Sequence, residues 1–138
     1  MRFVVFVKAN KDSEAGIMPD AKSLAEMQKY NEELVKAGAM LAGEGLHPSS
    51  RGTRIQYAGG KRTVVDGPFS ETKELVAGFW ILQLKSHAEA VEWLKRAPFQ
   101  EGEVEIRRIF EDEDFAYAPE AVAKDKELRA KIEHQTKS

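Results

Sequence analysis

Apolar side chains run unbroken through Phe3-Val4-Val5-Phe6-Val7 and recur, interrupted only by Gln83, through Phe79 to Leu84. Both runs predict strands that carry apolar groups on each face. Between about residues 20 and 37 the spacing changes: Leu24, Met27, Leu34 and Val35 recur at helical intervals with Asn31 on the same stripe, and Gly38 supplies a stop. A second helix opens at the capping-box pattern Ser86-His87-Ala88-Glu89, buries Val91 and Leu94 on one face and ends before Pro98. Further strands are predicted over Ala39 to Leu46 and Val104 to Phe110, and over the runs Thr53 to Tyr57 and Thr63 to Val65, which flank a Gly59-Gly60 hairpin turn.

The resulting order, β-α-β-β-β-α-β with the hairpin partly an insertion, predicts an α+β domain whose two helices lie on one face of an antiparallel sheet. Two helices cannot cover two faces. The doubly apolar strands therefore predict that a second copy covers the other face, giving a homodimer that buries roughly 800 Å² per partner.

The stretch Asp66-Gly67-Pro68-Phe69-Ser70-Glu71-Thr72-Lys73-Glu74 joins strands and concentrates a turn, an aromatic anchor and four ionisable side chains. Proline fixes its own φ and restricts Gly67, so Asp66 leaves its strand in a defined direction. Its carboxylate is expected either to accept hydrogen bonds from the turn it opens or to point into a cleft as an acid or base. Ser70 suits the start of a short helical turn carrying Glu71, Lys73 and Glu74. Lys73 and Glu74 cannot both point the same way: either one enters the cleft to bind a ligand while the other is solvated, or Glu71, Lys73 and Glu74 together make a solvated face, the commoner outcome for such a charge run. His47, between Gly45-Leu46 and Pro48, sits where a strand leaves the sheet, and imidazole exchanges protons near neutrality. It is either a proton-transfer residue oriented by Asp66 or a surface loop histidine. Glu105 and Arg107 share one strand face, which suits an edge, an interface salt bridge or a pocket lining.

Composition narrows the chemistry. In 138 residues the formal net charge is −2 and there is no cysteine, which excludes disulfides, zinc-thiolate centres and thiol nucleophiles and fits a cytoplasmic protein. The balanced charge disfavours nucleic-acid binding, although Arg51, Arg54, Lys61 and Arg62 form a local basic hairpin with Tyr57. His47, His87 and His134 make no metal-ligand spacing, so neither a metal nor another cofactor is expected. The leading apolar run is too short for a membrane span. After Glu111-Asp112-Glu113-Asp114 the composition turns to Ala, Lys and Glu with a thin stripe of Val122, Leu128 and Ile132, which predicts a charged tail, helical or frayed, over 113–138.

Asp66-Gly67-Pro68-Phe69 with Ser70 to Glu74 and Gly78-Phe79 resembles the signature of the DGPF subgroup of the YCII-related family. Ala37-Gly38, Gly45-Leu46-His47-Pro48, Glu89-Ala90 with Glu92-Trp93, and Glu105-Ile106-Arg107 extend the resemblance over residues 1–112. Arg108 departs from it, because the family often has proline there. The resemblance implies a ferredoxin-like sheet that dimerises into an α/β barrel. It also implies a cleft using a His and Asp pair, here His47 and Asp66, and one family branch eliminates chloride from a chlorinated aromatic ring. The expected function is binding of a small molecule beside Lys73, Glu74 or Arg107, with elimination or isomerisation by His47 and Asp66. The alternative is a non-catalytic ligand-binding or regulatory module, because some family members are fused to transcription-factor domains, and a purely structural dimer is the third.

Overall fold

A computed structural model describes residues 1–71 and 73–136; Thr72 of the predicted turn and Lys137 and Ser138 of the predicted tail lie outside the described residues. The chain divides into two compact units, Met1–Arg108 and the segment from Ile109 onward, four residues earlier than the composition change suggests.

In the first unit, β1 (Arg2–Lys8) lies between β5 (Val76–Gln83) and β6 (Val104–Arg108), and β2 (Met40–Gly45) pairs with the outer side of β5. All pairings are antiparallel and the order is β2-β5-β1-β6. Phe3 stands opposite Leu82 and Val5 opposite Trp80. Strand alternation thus puts these four on one face, where they pack in one cluster with Tyr30 and Leu34 of α2 (Ala21–Lys36) and Ala90 of α3 (His87–Lys95). Both helices therefore cover the same face. Phe3, Val5, Leu34 and Leu82 are fully buried, and each contributes about 1.5–3 kcal/mol of apolar transfer.

The stripe on α2 is rotated from the expected one. Met27, Tyr30 and Leu34 face the sheet, whereas Leu24 and Val35 are exposed. Asn31 earns its place on the stripe by accepting the Trp80 indole N–H at 2.9 Å. Asp20 caps α2 by accepting from the Ser23 amide at 2.7 Å, and Gly38 adopts φ 70° at its end, which is why the chain can turn there into β2. At α3 the capping-box residues act in part as predicted. Ser86 Oγ accepts from the Glu89 amide, but the Glu89 carboxylate reaches past Ser86 to the Lys85 amide at 2.8 Å.

On the other sheet face Val4 stands opposite Ile81 and Arg107, and Phe6 opposite Phe79 and Glu105. Val4, Phe6, Phe79 and Ile81 are half-buried. Arg108 pairs with Phe3, so the residue that replaces proline keeps the ladder running to the end of β6. The strand stops there, two residues short of the predicted Phe110.

β3 (Thr53–Ala58) and β4 (Lys61–Asp66) form a two-stranded sheet of their own, closed by Gly59 and Gly60 at φ 53° and 87°. Consecutive left-handed residues are what a type I′ hairpin turn requires. A short helix that the sequence reading missed, α1 (Lys11–Glu14), is closed by a capping box in which Asn10 accepts from the Ser13 amide while Ser13 Oγ accepts from the Asn10 amide.

The second unit holds a 3-10 turn, Asp112–Phe115, and α4 (Pro119–Thr136). Phe110 and Phe115 pack edge to face at 5.4 Å, and α4 carries Arg129–Asp125 at 2.9 Å and Lys131–Glu127 at 3.5 Å. Leu128 and Ile132 are exposed, as the thin stripe suggests. Among the described residues no helix is long and apolar enough to cross a membrane.

Candidate functional site

Three segments meet beyond the ends of β2 and β4. The first is the C-terminus of α1. The second is the loop after β2, where Pro48 leads into a 3-10 turn at Ser49–Arg51. The third is the turn that starts at Asp66, whose Gly67–Pro68 peptide is cis.

Ser49 ties them together. Its backbone N–H donates to Glu14 Oε1 at 3.1 Å and its hydroxyl to Glu14 Oε2 at 2.5 Å, while the same hydroxyl oxygen accepts the Phe69 N–H at 3.0 Å. The hydroxyl proton is thus committed to the carboxylate and the lone pair to the amide, an aligned relay in which each bond polarises the next. Beside it the Gly67 N–H donates to the Gly52 carbonyl at 3.0 Å. Gly67 has no positive φ; it is glycine because a Cβ would collide with the Ser49 carbonyl oxygen. Phe69 is half-buried as the expected anchor, with the Arg54 guanidinium 3.7 Å above its ring centroid. Arg54 also approaches Glu71 at 4.0 Å.

On this frame the predicted residues take separate partners. Asp66 Oδ1 accepts from Thr53 Oγ1 across the hairpin at 3.2 Å. His47 is exposed, with Nδ1 3.4 Å from Arg51 Nη1. A guanidinium only donates, so this contact requires a neutral ring with Nδ1 as acceptor and the proton on Nε2. His47 and Asp66 flank the same junction, yet no hydrogen bond between them is present among the described residues. Lys73 and Glu74 are both exposed, on a turn closed by the Glu74 N–H donating to the Glu71 carbonyl at 2.8 Å rather than on a helix. Buried Leu75 then leads into β5.

Arg107 lies elsewhere. It is on β6, whereas β2, which delivers His47, is the opposite edge strand, and three strand spacings amount to about 14 Å. Its Nη1 is 3.4 Å from Glu105, which also pairs with Lys8 Nζ at 3.1 Å. The hydrogen bond from Lys8 and its charge hold the Glu105 carboxyl below the usual range; burial opposes them, and Arg107 adds a smaller share. An open hollow of about 330 Å³ lined by Met1, Gly38, Gln83, Leu84 and Trp93 is at the opposite end of the strands and contains none of the predicted site residues.

Glu14, Ser49, Thr53, Arg51 and Arg54 were not singled out as site residues in the sequence. The Asn10-x-x-Ser13 capping pair was the available signal for α1. Nothing local links Glu14 to Ser49, 35 positions away.

An uncharacterized protein of Rhizobium meliloti (strain 1021) is 29% identical over 93 residues, covering 65% of this chain and 75% of that protein. A solved structure of 5-chloro-2-hydroxyhydroquinone dehydrochlorinase from Burkholderia phenoliruptrix AC1100, in complex with 2,5-dihydroxybenzoquinone, covers 80% of this chain and 94% of its own, at 16% identity and a TM-score of 0.47. The profile of the YCII-related domain matches residues 1–113, the whole of the sheet, both of its helices and the Ser49 junction, and the chain belongs to that family.

Proposed function

We propose that this chain is a DGPF-subgroup protein that binds a small anionic molecule, such as an aromatic carboxylate or phenolate, where the His47 loop meets the Asp66 turn. The observation that carries this reading is the juxtaposition of His47 and Arg51 on a loop fixed to the turn through Ser49. The guanidinium offers its remaining N–H groups to the anion, and Nε2–H, on the side of the ring away from Arg51, can donate to a second polar atom of the ligand. Binding depends only on this arrangement. Proton transfer such as elimination or isomerisation requires more: the ring must release Arg51 and carry its proton on Nδ1, donated to Asp66 in exchange for Thr53, so that Nε2 is free to accept a proton from the substrate.

The separate engagement of Asp66 by Thr53 and of His47 by Arg51 favours the non-catalytic reading for the unliganded chain. Binding at the site is tested first. Titration of the 15N-labelled full chain with sodium benzoate should shift amides of residues 47–52 and 66–71, and Arg51→Ala should abolish the shifts. Absence of any shift at those amides rejects the site. A substrate search on the same chain then separates the readings, since catalysis demands a loss of about 100-fold in His47→Ala whereas a binding module shows no turnover.

The order β2-β5-β1-β6 with α2 and α3 on one face supports a ferredoxin-like domain, and the half-buried Val4, Phe6, Phe79 and Ile81 support dimerisation through the opposite face into an α/β barrel. A cytoplasmic, cofactor-free homodimer that does not bind nucleic acid completes the reading. Sedimentation at micromolar concentration should give twice the chain mass, and a monomer would remove the dimer from it.

A further inference from the structure

We infer that Glu14 and Ser49 are positioning residues that set the affinity of the proposed anion site without touching its ligand; the inference rests on that site being where the His47 loop meets the turn. Glu14 ends a helix of four residues, Lys11–Glu14, and its half-buried carboxylate receives both polar hydrogens of Ser49. Ser49 lies two positions after His47 and two before Arg51. It is also the acceptor for the Phe69 amide and the wall against which Gly67 packs. One carboxylate therefore orients a hydroxyl that fixes both the loop carrying the two donors and the turn that faces it. Among the described residues of the turn, Phe69 N–H is the group held by the Ser49 hydroxyl, so its protection reports the latch directly.

A loop with fewer restraints populates more conformers, and a ligand that needs one of them binds more weakly by the fraction lost. Among the described residues the Glu14 carboxylate forms its hydrogen bonds with Ser49 alone, so its effect on the loop passes through Ser49. Its truncation should thus act on the same amide as truncation of Ser49, and the two should not add.

The test is native-state hydrogen exchange at the Phe69 amide, with Val5 in the central strand as the reference for global opening, in the wild type, Glu14→Ala, Ser49→Ala and the double variant. Glu14→Ala and Ser49→Ala should each speed Phe69 exchange by about tenfold or more beyond any change at Val5. The double variant should be no faster than Ser49→Ala. Ser49→Thr, which keeps the hydroxyl, should restore protection. In the same proteins sodium benzoate should bind about tenfold more weakly in Glu14→Ala and normally in Ser49→Thr. Equal acceleration at Phe69 and Val5, or additive effects in the double variant, overturns the latch. If Glu14→Ala fails to fold, Glu14→Gln, which retains an acceptor for the Ser49 amide, carries the comparison with Ser49→Ala. Benzoate that fails to bind even the wild type rejects the site reading alone, because the exchange measurement needs no ligand.

Discussion

The Arg54 guanidinium lies 3.7 Å above the centroid of the Phe69 ring, so a cation from the hairpin closes over the aromatic residue of the turn. Phe69 is only half-buried, and it gains from the cation as well as from burial. Replacing Phe69 by Ala should destabilise the first unit by about 2 kcal/mol, less than a fully buried phenylalanine would lose. Urea denaturation measures it. Arg54→Met, which keeps the stem and removes the charge, should cost about 0.5–1 kcal/mol, and a neutral outcome there would assign the whole of the Phe69 effect to apolar contact.

Gly67→Ala should be the most damaging single change in the turn. The new methyl group meets a backbone carbonyl, that of Ser49, and a backbone atom cannot swing aside as a flexible side chain would. Either the Gly67 to Gly52 hydrogen bond or the seat of Phe69 has to break, at a cost of about 2 kcal/mol or more. Gly59→Ala, at a hairpin turn with open space around it but φ of 53°, should cost about 1 kcal/mol. Reversal of that order in melting experiments would contradict the packing.

These residues also show where the sequence was legible. The strands and both sheet-covering helices follow from local periodicity, because one buried face imposes period 2 or 3.6 on its own segment. The rotation of the α2 stripe was hidden, since Tyr30 is a polar-tipped residue whose burial depends on Trp93 from another element, whereas Asn31 was legible on the stripe but its partner Trp80 was not. The Asp66 turn was recognisable from its Gly-Pro pair, but the need for glycine there comes from Ser49, 18 positions earlier by number. The site was legible as two pieces and illegible as an assembly: Glu14, Ser49, Arg51 and Thr53 are ordinary polar loop or helix residues until tertiary structure gives each a partner.

Tyr30 predicts an alkaline limit to stability. Burial, with a contribution from Glu33 and opposed by Arg96, pushes its hydroxyl from 10.0 up to about 12. Below pH 10 the phenol is neutral in both states and its contribution is complete. Between 10 and 12 the unfolded chain loses the proton first, so stability falls as pH rises through that window. Tyr30→Phe should flatten this limb. At neutral pH it should cost about 1 kcal/mol, because the hydroxyl donates to the Trp93 carbonyl at 2.6 Å, yet that carbonyl keeps the Arg96 amide at 3.1 Å. Urea midpoints across the pH range test both statements.

Glu105 acts at the other end of the scale. Its carboxyl is held low mainly by the Lys8 hydrogen bond, so its contribution is present above the ordinary carboxylate pKa and is lost as pH falls through the lowered value. Glu105→Gln should therefore lower stability at neutral pH and show less further loss on acidification than the wild type. Added salt should shrink the difference, because the pair is solvent-accessible. Equal acid sensitivity of the two proteins would show that Lys8 does not stabilise the charged form.

His47 decides between the two views of the site. A ring oriented by Arg51 has Nδ1 as acceptor and the proton on Nε2, whereas a ring oriented by Asp66 has Nδ1 protonated and donating to the carboxylate. Long-range 1H–15N correlation of the neutral imidazole distinguishes them, because protonated and bare ring nitrogens resonate far apart. The wild type should show a bare Nδ1, and Arg51→Ala should move the ring toward a mixture of tautomers. Asp66→Asn should leave the tautomer unchanged, since Asp66 is engaged by Thr53. Benzoate then adds the functional arm. If bound anion holds the Nε2 proton, the tautomer persists and His47 serves as a donor; if ligand draws Asp66 to Nδ1, the proton moves to that nitrogen and a base becomes available at Nε2. A ring with Nδ1 protonated in the unliganded wild type, lost in Asp66→Asn, would replace the Arg51 contact with the His47 and Asp66 pair and make proton transfer the primary reading of the site.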